Sequence, residues 1–139
     1  MNVLLVEPMK EPRAVQIESG LEPLQNAVGG DIQALYPFSD PIAIITNDES
    51  KNMGLPLNRA LRDEEGKIYD IIAVNFLIVG LGGERFTDLP PELMEKYKAH
   101  FRHPEQFFRM GEEIFSVKRP IPSERKEKKS HQKQHADAR

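Results

Sequence analysis

The chain contains no cysteine. That excludes a disulfide framework, a thiolate nucleophile and any zinc site built on sulfur. It also lacks a long apolar run: residues 71–81 form the longest, Asn75 and Gly80 interrupt it, and a bilayer needs roughly 20 apolar residues in succession. No membrane association is therefore expected. The opening Met1-Asn2-Val3-Leu4-Leu5-Val6-Glu7 has no basic stretch and reaches an acid at the seventh position, unlike a secretory signal. A cytoplasmic protein is the expectation. There is no Gly-x-Ser-x-Gly elbow, no Gly-Lys-Ser/Thr phosphate loop and no acid–base pair at hydrolase spacing. Nothing here points to an enzyme, and no cofactor is implied.

What is present is enough for one domain. Of 139 residues, 39% are hydrophobic, which fills one core but not two. The net charge of −3 conceals an asymmetry. Residues 118–139 hold eight basic and three acidic side chains, about +5, leaving eleven basic against nineteen acidic, or −8, in residues 1–117. From Lys118 onward Ile121 is almost the only apolar residue, with Pro120 and Pro122 beside it. Such a segment cannot offset its ordering entropy. The expected organisation is one domain over 1–117 and a basic disordered tail over 118–139. The tail could touch nucleic acid by counterion release, but it has no aromatic residue on which a base could stack.

Periodicity predicts an α+β domain with a mixed or antiparallel sheet of five or six strands and two or three helices. Residues 2–6 are apolar and branched, a strand covered on both faces, and 13–17 alternate as its partner. Ser19 and Glu22 have capping-box spacing at the start of a helix that Gly29-Gly30 ends. Strands follow at 32–36 and 42–46. Residues 59–62, the turn Asp63-Glu64-Glu65-Gly66 and Lys67 form a hairpin arm leading into one long central strand over 68–79. Gly80-Leu81-Gly82-Gly83 reads as a flexible turn. Pro91 opens a helix that ends near Arg102, ahead of Pro104. A short last helix is expected over 104–110.

Chemistry concentrates in one segment. Asn47, Asp48 and Glu49, then Asn58 and Arg59, place carboxylates, amides and a guanidinium in loops beside apolar strands. Arg59 could hold a small anionic ligand oriented by Asn47 or Asn58. Alternatively, Asn47 and Asp48 make an Asx-type turn while Arg59 pairs internally with Asp48 or Asp70. Asp70 lies inside the apolar strand and requires a partner, for which Arg59 or Arg62 is available across the hairpin. Asn75 falls on the opposite face of that strand. His100 and His103, three apart at a helix end, suit the helix dipole and supply too few ligands for a metal.

Several of these strings occur together in a recognisable way: Tyr36-Pro37-Phe38, Asn47-Asp48-Glu49, Gly54-Leu55-Pro56, Asn58-Arg59-Ala60-Leu61, Tyr69-Asp70-Ile71-Ile72, Phe76 and His103-Pro104-Glu105-Gln106-Phe107. Over about residues 1–110 the chain resembles an uncharacterised family, domain of unknown function 3846, met mostly in phages and mobile elements of Gram-positive bacteria. It departs from the family's usual Gly-Thr at Val74-Asn75, and its basic tail is an addition. The resemblance implies a phage or mobile-element setting and brings no activity, cofactor or catalytic residue. With the small size, the acidic body and the lack of a catalytic constellation, that setting suggests a non-catalytic accessory protein that binds a host protein or nucleoprotein, for which counter-defence is one purpose. The alternative is a nucleotide-type ligand binder using Asn47, Asp48, Glu49, Asn58, Arg59 and Asp70.

Overall fold

Two amphipathic helices and a sheet apolar on both sides can bury all of their apolar surface only if one helix covers each face. That is the arrangement in the computed structural model, which describes residues 1–49 and 54–121. The strands β1 (Asn2–Val6), β2 (Arg13–Gln16), β3 (Ile32–Leu35), β4 (Ile42–Asn47), β7 (Phe76–Gly82) and β8 (Arg85–Thr87) form the main sheet. Its order is β2-β1-β7-β4-β3, with β8 added to β7, and every pairing is antiparallel. Two hairpins complete the strands: β5 (Leu57–Arg62) with β6 (Ile68–Ala73), and β9 (Glu105–Met110) with β10 (Glu113–Lys118). The expected α+β class is the observed one.

Alternation along the strands sorts the core into two halves. Leu4, Val6, Ile42, Ile44, Phe76 and Ile78 face helix α2 (Pro91–His100), meeting Met94, Tyr97 and Phe101. Val3, Ala43, Ile45, Leu77 and Val79 face helix α1 (Leu21–Val28), meeting Leu24 and Val28. Each fully buried side chain of this size contributes about 1.5–3 kcal/mol. Pro91 occupies the first turn of α2, where its missing N–H leaves no broken bond. Gly29 takes φ 83° and ends α1, as its position predicts.

Four expectations need correction. Ser19 does not cap α1: Gly20 is the N-cap and no side chain bonds the first turn. The single strand over 68–79 is two strands in different sheets, broken at Val74, whose φ is 53°. Only its second half, β7, is central, lying between β1 and β4. Gly80 and Gly82 are not a flexible turn but part of β7. A Cβ at Gly80 would lie 2.1 Å from the Asp88 carbonyl oxygen, so the close approach of two backbones requires glycine there. Last, residues 105–110 are not helical; they form β9. The ordered fold also continues beyond residue 117, since Arg119 N donates to the Pro104 carbonyl at 2.7 Å and Ile121 is fully buried. The rest of the basic tail, 122–139, lies outside the described residues.

Candidate functional site

Arg59 is inside the molecule, with no exposed surface. Leu57 pairs with Ala73 and Arg59 with Ile72, so Asn58 is the extra residue of a bulge. The bulge lets both side chains work together. Asn58 Oδ1 accepts from Arg59 Nη1 at 2.8 Å, and Asn58 Nδ2 donates to the carbonyls of Val6 (3.0 Å) and Val74 (2.7 Å). Arg59 Nε donates to the Phe101 carbonyl at 3.0 Å and Nη2 to the Lys10 carbonyl at 2.7 Å. Burial lowers the guanidinium pKa to about 10, opposed by the charge of Glu105. It remains a cation at neutral pH.

Glu105 is the second buried charge, 4% exposed. Its Oε1 accepts from Arg62 Nη2 at 2.6 Å and from Ser116 Oγ at 2.5 Å, and its Oε2 from the Ala60 amide at 3.1 Å. Burial opposes its ionisation, yet these three donors together keep the carboxyl below its ordinary value. Asn58, Arg59, Arg62 and Glu105 thus tie the β5–β6 hairpin to β1, the C-terminus of α2 and the β9–β10 hairpin. Glu105 is not singled out by the sequence, because a carboxylate two positions before Phe107-Phe108 suits the exposed side of a short helix as well as a buried strand position.

The remaining predicted residues lie elsewhere. Asn47 is on the α1 side of the sheet: its Nδ2 donates to the Val28 carbonyl at 3.2 Å and its Oδ1 accepts from the Glu49 amide at 2.9 Å. This is the Asx-type turn, and it also fastens the end of α1. Arg59, by contrast, bonds the end of α2 on the other face, so the two do not share a site. Asp48 and Glu49 are exposed. Asp70 Oδ1 accepts from the Ile71 amide at 2.9 Å. Of the two arginines expected across the hairpin, Arg59 bonds carbonyls and Asn58, and Arg62 bonds Glu105. Asn75 sits between β6 and β7, 3.5 Å from the Ala27 carbonyl. His100 packs edge-on against Phe38 and Phe101, with ring centroids 5.2 Å and 4.6 Å away. Among the described residues no group of three or more His, Asp or Glu converges as a metal site.

One further titratable cluster pins the loop before β4 onto α2. Asp40 Oδ2 accepts from Tyr97 Oη and from Lys96 Nζ, both at 2.6 Å. Burial and the bond to Asp40 push the Tyr97 hydroxyl above its usual range, so it serves as a neutral donor.

The accessible features are of a different kind. A cleft of about 670 Å³ opens between the two hairpins, lined by Leu55, Leu57, Tyr69, Asp70, Arg109 and Ile114 among others. A groove of about 770 Å³ runs between the start of α1 and the β7–β8 turn. Beside the cleft, the β9–β10 register puts Phe108 opposite Phe115 and Val117 opposite Gln106. Together with Met110 they form an outward apolar face, with exposures of 46% (Phe108), 45% (Phe115), 44% (Val117) and 69% (Met110).

A two-faced antiparallel sheet with one helix on each side and a buried arginine clamp defines an α+β domain whose polar cluster is internal. The chain belongs to the family described as a domain of unknown function (DUF3846), whose model matches residues 1–102. The match, expected to reach about residue 110, ends just before β9. No curated protein and no solved structure matches the chain significantly. No helix among the described residues is long and apolar enough to cross a membrane.

Proposed function

We propose that the chain is a non-catalytic accessory protein of a phage or mobile element that binds a host protein or nucleoprotein, with counter-defence as the purpose. The observation that carries this reading is the outward face of β9–β10, where Phe108, Met110, Phe115 and Val117 are exposed side by side. Contiguous exposed apolar surface marks interaction sites, and aromatic anchors dominate binding energy at interfaces. The burial of Arg59 supports the same reading, because the anion contact needed for a ligand pocket at residues 47–59 is withdrawn from solvent.

The test is capture from host lysate with the tagged chain and with a Phe108→Ser/Phe115→Ser variant of matched thermal stability. A partner retained by the native chain and reduced roughly tenfold or more by the variant supports the proposal. Equal capture by both overturns it.

A second reading keeps a nucleotide-type ligand but moves it to the cleft between the hairpins, where Tyr69 offers a stacking surface and Arg109 a guanidinium. Ligand at about 100 times its dissociation constant adds roughly 2.7 kcal/mol of stability. A thermal-shift screen of nucleotides therefore decides it, with the shift expected to vanish in Arg109→Ala.

A further inference from the structure

The hydrogen-bonding phase of β10 follows from one bond. Arg119 N donates to the Pro104 carbonyl, extending a ladder in which Lys118 faces Glu105 and Val117 faces Gln106 without a register shift. In an antiparallel ladder the pairs that exchange hydrogen bonds alternate with pairs that do not. Residues 113, 115, 117 and 119 therefore turn their N–H and C=O groups towards β9, and Ile114, Ser116 and Lys118 turn theirs to the opposite edge. Among the described residues β10 pairs only with β9. Its edge carries no proline or bulge of the kind that blocks strand addition. Residues 122–139 contain no Ile, Leu, Val, Met, Phe, Tyr or Trp.

We infer that two copies of this chain associate through their β10 strands, paired antiparallel about a two-fold axis at Ser116, to give one continuous four-stranded sheet from two hairpins. A two-fold axis perpendicular to the sheet keeps the same face of both hairpins on the same side and so pairs residues of like parity. Centring it on Ser116 sets Ile114 opposite the second copy's Lys118, using the outward amides and carbonyls of both. The same register places Phe115 opposite the second copy's Val117 in a non-hydrogen-bonded pair, where side chains lie closest. It also places Glu113 opposite the second copy's Arg119. This charge complementarity occurs twice by symmetry and favours a second copy over a foreign strand. Shifting the axis to Phe115 would oppose Glu113 to Val117 and lose both ion pairs. The dimer leaves the Phe108 side outward and doubles it, so self-association stands apart from the partner binding proposed above.

Sedimentation equilibrium of the full chain over about 1 µM to 1 mM, the span of weak to moderate affinities, should show the mass rising to two chains. Glu113→Lys should raise the dissociation constant roughly tenfold, because two attractive cross-strand pairs become repulsive. Adding Arg119→Glu to that variant should restore it. Because the native chain has no cysteine, the register can be read by oxidation. An equal mixture of Phe115→Cys and Val117→Cys chains should cross-link into dimers holding one of each, and either alone should not. A one-chain mass at every concentration, indifference to Glu113→Lys, or equal cross-linking in single and mixed samples overturns the inference.

Discussion

Asn58 and Arg59 are consecutive residues of one strand, yet their side chains hydrogen-bond to each other at 2.8 Å. Consecutive strand residues normally point to opposite faces. The bulge at Asn58 removes that alternation and lets one amide orient a guanidinium that binds two distant carbonyls.

Replacing this arginine tests whether it is a clamp. Arg59→Met keeps most of the volume but leaves Phe101 O, Lys10 O and Asn58 Oδ1 without their donor, at about 1–3 kcal/mol for each buried group that finds no other. The expected loss is about 3–5 kcal/mol in urea unfolding, the range for breaking a buried charge arrangement. Asp48→Ala and Glu49→Ala, at exposed positions, should stay within about 0.5 kcal/mol. A mild Arg59→Met would return the residue to the list of ligand contacts.

Glu105 should make the protein acid-sensitive. Its carboxyl is held below the ordinary value of 4.5 in the folded chain, so the unfolded chain takes up the proton first as pH falls. The stabilisation is complete above that ordinary value and is lost as pH drops through the lower, folded one. Unfolding midpoints measured from about pH 7 to pH 3 should therefore fall less steeply for Glu105→Gln than for the native chain, although the variant is less stable at neutral pH. Parallel slopes would show that Glu105 does not carry this dependence.

Val74 is a β-branched residue in the left-handed region, with φ 53°, where a non-glycine residue is strained by roughly 1–2 kcal/mol. The position is fixed from outside: its amide donates to the Pro56 carbonyl at 2.8 Å, and its own carbonyl accepts from Asn58. Val74→Gly gives up side-chain contacts and some backbone entropy but relieves the strain. We expect a change between neutral and about 1 kcal/mol stabilising, where a strand valine replaced by glycine would lose more. A loss beyond about 2 kcal/mol would show that the surroundings do not strain the site.

Much of the frame was legible in the residues themselves. The unbroken apolar runs of β1 and β4 announced strands covered on both sides, and Pro91 and Gly29 marked helix ends by backbone geometry that holds in any context. The break at residues 74–75 was not legible, because valine at that point argues for continuing the strand. Nor was β9, since Phe107-Phe108 fits a helix as well as a strand when only a few residues are considered. For the site, the sequence singled out Asn47, Asp48, Glu49, Asn58, Arg59 and Asp70, and left open whether Arg59 meets a ligand or pairs internally with Asp48 or Asp70. Their chemistry is local but their partners are not. The Lys10 and Phe101 carbonyls lie over forty positions from Arg59, and the Val6 carbonyl over fifty from Asn58. Local pattern thus determined both helices and most of the strands, and that an arginine would need satisfaction. Only the packing of two hairpins against the end of α2 decided that it would be satisfied inside, because burial is a property of the assembled layers and not of any one segment.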